Sequence, residues 1–214
     1  MPKSKVQIVA LVLNGTPGSK DFCQPFFEKA DLIIAADGGA NTVLACGFKP
    51  DYLVGDFDSI SEESLDMLKN DSSVEVMEDL DQDSTDFEKA LRLINKLRPK
   101  KLIILGAFGD ELDHTFANFF TLLQINKEIE TVLYDQKHEA YLVRDKLELT
   151  GKKDEIVSIL PLGKVEGLTL KGLKWSLEDE QVTWGWLGIR NRMVGTRAEI
   201  RAKKGEVIVI KVNV

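Results

Sequence analysis

The segment Gly55-Asp56-Phe57-Asp58-Ser59 places two carboxylates two residues apart, directly after the apolar run Tyr52-Leu53-Val54. On an extended backbone that spacing points both side chains to one side. Paired carboxylates repel unless a cation sits between them or one is protonated. A divalent metal resolves the repulsion, and hard oxygen ligands favour magnesium. Three more acidic segments share this setting near an apolar run: Asp37-Gly38-Gly39-Ala40-Asn41, the stretch from Asp81 to Asp86, and Leu112-Asp113-His114. Together they describe a metal–phosphate site, with Asp56, Asp58 and Asp86 as the metal candidates.

Each piece has a plainer reading. A capped, solvated turn accounts for Asp56 and Asp58 taken alone. Asp86 beside Thr85 suits the first turn of a helix, where negative charge offsets the macrodipole. The glycines after Asp37 bring backbone N–H groups close to an anion at a helix start, but a tight strand-to-helix turn uses the same residues. Asp113 is placed to reach phosphate-bound metal or an attacking hydroxyl. His114 is either a general base or a structural helix-end residue. The convergence of four segments favours a site over four unrelated turns.

The elements that must position these groups alternate along the first two thirds. Strands are expected at Val6–Leu13, Leu32–Ala36, Tyr52–Val54, Val74–Met77, Leu102–Leu105 and Thr131–Tyr134. Helices are expected at Ala40–Cys46, Ser61–Leu68, Ser84–Leu97 and Leu112–Asn126. The helix from Ser84 has the clearest pattern, with apolar residues at three- and four-residue spacing and a Thr85/Glu88 capping box. The alternation argues for a mostly parallel sheet with helices on both faces, a Rossmann-like α/β unit. In such sheets ligands bind beyond the carboxyl ends of the strands, where the acidic segments fall. From about Glu139 short strands separated by glycines replace the helices, which reads as an antiparallel β-sandwich or barrel. The expected domains are residues 1–138, α/β and catalytic, and 139–214, β.

Composition narrows the class. The chain has 214 residues and a net charge of -7, which argues against a nucleic-acid binder that relies on bulk basic charge. Phosphate substrates remain open, because magnesium can supply positive charge. Cys23 and Cys46 form no CxxC pair, and two buried thiols are favoured over a disulfide. The N-terminal apolar run is too short and too β-branched for a signal peptide, and no stretch has membrane-spanning length. A cytoplasmic protein without membrane contact is expected. The P-loop and protein-kinase signatures are both missing from the sequence. Trp175, Trp184 and Trp186 lie close together; they would stack on a flat heterocycle or fill a small β core.

Taken together, ADGGAN, PDYLVGDFDSI, STDFEKAL, LDHTFAN and GLKWSL resemble the thiamine pyrophosphokinase (thiamine diphosphokinase) family in order and approximate spacing, over about residues 35–212. The resemblance implies an α/β nucleotide-binding domain followed by a β-sandwich domain that binds thiamine. It implies transfer of pyrophosphate from ATP to the thiamine hydroxyl, giving thiamine diphosphate and AMP, with Mg2+ as cofactor. It further implies a homodimer with sites at the subunit interface. Asp56, Asp58 and Asp86 match the family's magnesium and phosphate aspartates, and Asp113 matches the aspartate of its LDH motif. Asp37, Gly38, Gly39, Asn41 and Thr85 fall in motifs that line the ATP site. Gln82 matches a thiamine-facing position, and Trp175 falls in the GLK-aromatic segment. Arg190 and Asn191 stand where the family shows Gly-x-Ser-Asn around the thiamine pocket; this chain reads Gly188-Ile189-Arg190-Asn191. Arg190 in place of a small serine brings a cation toward a cationic substrate. That departure keeps two alternatives in view: a pyrophosphokinase for another heterocyclic alcohol, such as a pterin or a thiamine-like pyrimidine, and a non-catalytic nucleotide-binding protein.

Overall fold

The computed structural model describes residues 6–109, 111–186 and 188–213. The chain divides into two compact units, Met1–Gln136 and Lys137–Val214.

The first unit carries six parallel strands: β1 (Ile8–Val12), β2 (Leu32–Ala36), β3 (Tyr52–Gly55), β4 (Glu75–Glu78), β5 (Lys101–Leu105) and β6 (Glu130–Tyr134). Their order within the unit is β4-β3-β2-β1-β5-β6. The chain moves outward from β1 to β4, then returns to pair β5 on the other side of β1. That reversal opens a crevice at the carboxyl ends of β1 and β5, the place where an open α/β sheet binds ligands. Strands β1, β2 and β5 are apolar on both faces, as strands sandwiched between helices must be. The connecting helices are α1 (Lys20–Lys29), α2 (Gly39–Ala45), α3 (Glu62–Lys69), α4 (Asp86–Leu97) and α5 (Leu112–Thr121). Cys23, Phe27, Val43, Leu53 and Leu68 pack with the strand residues in one core. Cys23 and Cys46 are both free and buried.

The second unit holds two antiparallel four-stranded sheets. One has the order β12-β9-β14-β7, from Gly188–Arg192, Ile156–Pro161, Val207–Val212 and His138–Val143. The other has the order β11-β10-β13-β8, from Leu177–Val182, Val165–Lys171, Arg197–Arg201 and Lys146–Thr150. Val157, Ile159, Leu168, Leu170, Ile200 and Val209, from both sheets, meet in a single core.

Several elements differ from the sequence expectation. Helix α1 was not expected, because Pro25 interrupts its pattern; it is started by Ser19, whose hydroxyl accepts from the Phe22 amide. Helix α5 ends at Thr121, and a single 3-10 turn, Leu122–Gln124, continues toward Asn126. Strands β8, β11 and β12 were not expected. β11 and β12 are edge strands, β11 with mostly polar, exposed residues and β12 with a polar run broken by a bulge, so alternation gives little signal there. Among the described residues no helix is long and apolar enough to cross a membrane.

Candidate active site

A cleft of 750 Å³ opens at the strand reversal of the first unit. Its walls come from the turn after β1 (Asn14, Gly15, Thr16), the end of β2 (Asp37), the segment after β3 (Asp56, Asp58, Ser59), the start of α4 and the first half of α5.

Three carboxylates converge in it. Asp37, Asp56 and Asp86 each present an oxygen, and these lie within 4.8 Å of one another. Backbone geometry explains the convergence. Gly55 ends β3 at φ 146, and a Cβ there would lie 3.0 Å from Asp37 Cβ and 3.1 Å from Asp86 Oδ1. Only glycine lets the backbone of β3 pass that close to both acids. Asp37 is 1% exposed and itself adopts a positive φ of 43 at the end of β2. Its carboxylate accepts the Ser59 amide at 3.2 and 3.3 Å, which ties β2 to the loop after β3.

The expected same-side pairing of Asp56 and Asp58 does not form by the extended-strand route. The strand stops at Gly55, and Phe57 turns to φ 67 and buries its ring in the core. Asp58 is exposed at the cleft wall and accepts from the Ser59 hydroxyl at 2.8 Å. The third acid near Asp56 and Asp86 is thus Asp37, which the sequence reading had placed with ATP.

Lys89, not anticipated from the sequence, lies among these acids. Its Nζ donates to Asp56 Oδ2 and to Asp86 Oδ1, each at 3.1 Å, and its side chain is 2% exposed. The bond from Lys89 lowers the Asp56 carboxyl. Burial raises Asp86, against the pull of Lys89, and burial likewise raises Asp37. For Lys89 burial acts downward, but the bonds to Asp56 and Asp86 together outweigh it and leave the ammonium raised. Gln82 is a second side-chain partner of Asp56, donating to its Oδ2 at 3.3 Å. An all-oxygen donor set on three carboxylates fits a hard divalent cation.

The other expected residues take distinct places. Thr85 caps α4 and closes the capping box with Glu88. Gly38 and Gly39 are absent from the cleft wall; a Cβ on Gly38 would sit 2.2 Å from Asn14 Oδ1, and one on Gly39 would sit 2.1 Å from the Val12 carbonyl. These glycines let α2 lie close against β1. Asn41 donates to the Ser59 carbonyl at 3.1 Å, a second tie onto the same loop. Asp113 accepts the His114 amide at 3.0 Å, and it is His114 that lines the cleft. Asp81 is held by Arg92 at 2.8 Å and by the Ser84 hydroxyl at 2.7 Å.

In the second unit an apolar hollow of 240 Å³ is lined by Leu170, Trp175, Leu177, Trp186, Ile189 and Asn191, with Gly188 beside them. Asn191 is 3% exposed and clamps Trp175 through both backbone groups: its Oδ1 accepts the Trp175 amide at 3.1 Å, and its Nδ2 donates to the Trp175 carbonyl at 2.8 Å. The indole itself is exposed, with the Lys174 ammonium 4.9 Å from its ring. Arg190 is outside the hollow's lining. It sits at φ 57 in the bulge of β12, and its amide donates to the Ser158 hydroxyl at 3.0 Å.

Two family models match, and they divide the chain between them: the thiamin pyrophosphokinase catalytic domain over residues 23–133, and the thiamin pyrophosphokinase vitamin B1 binding domain over residues 144–207. The chain belongs to the thiamin pyrophosphokinase family. Among its relatives, the thiamine pyrophosphokinase of Bacillus subtilis is 28% identical over 192 residues, covering 87% of this chain and 89% of that protein. Thiamine pyrophosphokinase 1 of rice is 27% identical over 198 residues, covering 78% of this chain and 73% of the relative. The crystal structure of the Bacillus subtilis enzyme superposes with a TM-score of 0.83 at 25% identity, over 97% of this chain and 99% of that one. The thiamin pyrophosphokinase of Candida albicans shares the fold, with a TM-score of 0.81 at 19% identity over 97% and 90% of the two chains. Within this family framework the cleft belongs to the catalytic-domain match and the tryptophan hollow to the B1-binding match. Asn14, Lys89 and Asn118 are among the cleft residues that sequence reasoning passed over. For Lys89 a signal existed, since an acid and a lysine three apart on a helix face each other.

Proposed function

We infer that this protein transfers pyrophosphate from ATP to the hydroxyl of thiamine, releasing AMP and forming thiamine diphosphate. The observation that carries the inference is the pairing, in one chain, of an acid-lined cleft at the strand reversal with an aromatic hollow on a β unit. Each falls in the family domain whose description suits it.

The thiamine hydroxyl loses its proton, to His114 or to solvent, as its oxygen forms a bond to the β-phosphorus; the bond from that phosphorus to the α–β bridging oxygen breaks, so AMP leaves. Catalysis of such a transfer rests on positioning and on stabilising charge at the phosphates. Asp37, Asp56 and Asp86 would hold Mg2+, with Asp58 at the rim. When bound, that ion supplies positive charge to the phosphate oxygens. Thr85 lines the nucleotide side of the cleft, while Gly38, Gly39 and Asn41 shape the turn that positions Asp37. Gln82 orients Asp56 and faces the acceptor. Asp113 fixes the first turn of α5 and thereby His114, beside the attacking hydroxyl. Trp175 offers its indole face to the cationic heterocycle, held by Asn191. Arg190, anchored through its amide in the bulge of β12, does not wall the hollow, which fits a cationic guest.

We also place the protein in the cytoplasm, acting as a homodimer whose sites are completed across the subunit interface, as the family resemblance implies. The stripe of Leu112, Phe116 and Phe120 along α5, each at least half exposed, supplies an apolar face for a partner. Light scattering on the eluting protein should give twice the monomer mass; a monomer at micromolar concentration would remove the shared site. For the activity, AMP is measured with ATP and magnesium in the presence and absence of thiamine. AMP that appears only with thiamine supports the assignment; nucleotide binding without thiamine-dependent AMP contradicts it.

A further inference from the structure

We propose that Lys89 is a positioning residue that keeps free divalent metal out of the acidic cluster until a nucleotide arrives. The proposal rests on reading the cleft as a metal–nucleotide site. Asp37, Asp56 and Asp86 bring three carboxylates within 4.8 Å. Two of them already share a cation, because Nζ of Lys89 is 3.1 Å from both Asp56 Oδ2 and Asp86 Oδ1. That ammonium is fixed: Lys89 projects from the buried face of α4, between Phe87 and Ala90, and its side chain is 2% exposed.

A metal ion entering the empty cleft must compete for oxygens that the ammonium occupies. Displacing the ammonium strands a buried charge, and leaving it in place puts two cations side by side. A triphosphate changes the balance. Its negative charge gives both cations partners, so metal and ammonium are held together once the nucleotide is bound. By linkage, metal and nucleotide then raise each other's affinity, and Lys89 makes that coupling large. A lysine that only packed α4 would affect stability without affecting this coupling.

The test uses the purified full chain, Mn2+ as the probe and electron paramagnetic resonance of the free ion. Binding is measured without nucleotide and with α,β-methylene ATP, whose α–β link is not cleaved. Wild type is expected to bind Mn2+ at least about tenfold more weakly without the analogue than with it. Lys89→Met should tighten nucleotide-free Mn2+ binding by about tenfold, and Lys89→Arg should match wild type. Unchanged or weaker nucleotide-free binding by Lys89→Met overturns the proposal. Should that variant fail to fold, Lys89→Gln is compared with wild type in the same nucleotide-free assay: tighter Mn2+ binding supports the proposal, and unchanged or weaker binding overturns it. Failure of the analogue to bind at all contradicts the nucleotide-site reading, while the nucleotide-free comparison still decides the role of Lys89.

Discussion

At the scale of single residues, burial and pairing set what each acid does. Asp37 and Asp86 are pushed up by burial, whereas Asp56 is pulled down by Lys89. The three acids thus form one coupled group rather than three equivalent ligands. Asp56→Asn or Asp86→Asn should lower kcat by about 100-fold or more, the scale seen when a stabilising contact to developing charge is lost. Asp113→Asn should cost less, because its carboxylate bonds a backbone amide and lies outside the cleft wall. Steady-state kinetics of the three variants ranks them; an Asp113 loss equal to that of Asp86 would bring Asp113 into the chemistry. Asp81 gives a separate test. The bond from Arg92, aided by that from Ser84, lowers its carboxyl to about 2. The unfolded value is about 3.9, so the folded pKa is depressed and the stabilisation is present above about pH 4. It is lost as pH falls through the folded value near 2. Carbon-detected NMR titration should place Asp81 well below the usual aspartate range, and Arg92→Gln should return it toward that range. An unshifted Asp81 in the wild-type chain would contradict the bridge.

At the scale of elements, the site is made by how strands end. Gly55 closes β3 where Asp37 and Asp86 press against it, so Gly55→Ala should reduce both thermal stability and turnover, by about 1–3 kcal/mol in stability. A variant with wild-type melting and kinetics would mean that the close approach is not needed. Asn191→Ala should leave the Trp175 amide and carbonyl without partners, at a cost of about 1–3 kcal/mol. It should raise KM for thiamine while leaving KM for ATP unchanged; equal effects on both would sink the assignment of the hollow. These two elements mark the limit of what the sequence discloses. The parallel unit was legible because buried strands and amphipathic α4 carry strong periodic signals, and Thr85 with Glu88 announced the helix start. The acids were legible as a set. Their grouping was not: the period-2 rule for Asp56 and Asp58 holds only on an extended strand, and Phe57 leaves it for a left-handed turn. Strand β12 was hidden by its polar residues and its bulge, so the clamp between Asn191 and Trp175 appears only once the strands are paired.

At the scale of the whole molecule, the chain combines two folding units with separate cores and separate cavities, one polar and acidic, the other aromatic. That division matches a reaction with two unlike substrates, a polyanionic nucleotide and a cationic heterocycle. The family matches cover both units and so support one activity for the full chain. The most direct measurement follows the phosphates themselves. Thiamine is incubated with protein, magnesium and ATP labelled separately at the β and γ positions, and the products are separated. The expected result is thiamine diphosphate carrying both labels in equal amount, with one unlabelled AMP formed for each. Thiamine carrying the γ label alone, with ADP as the co-product, would contradict pyrophosphate transfer.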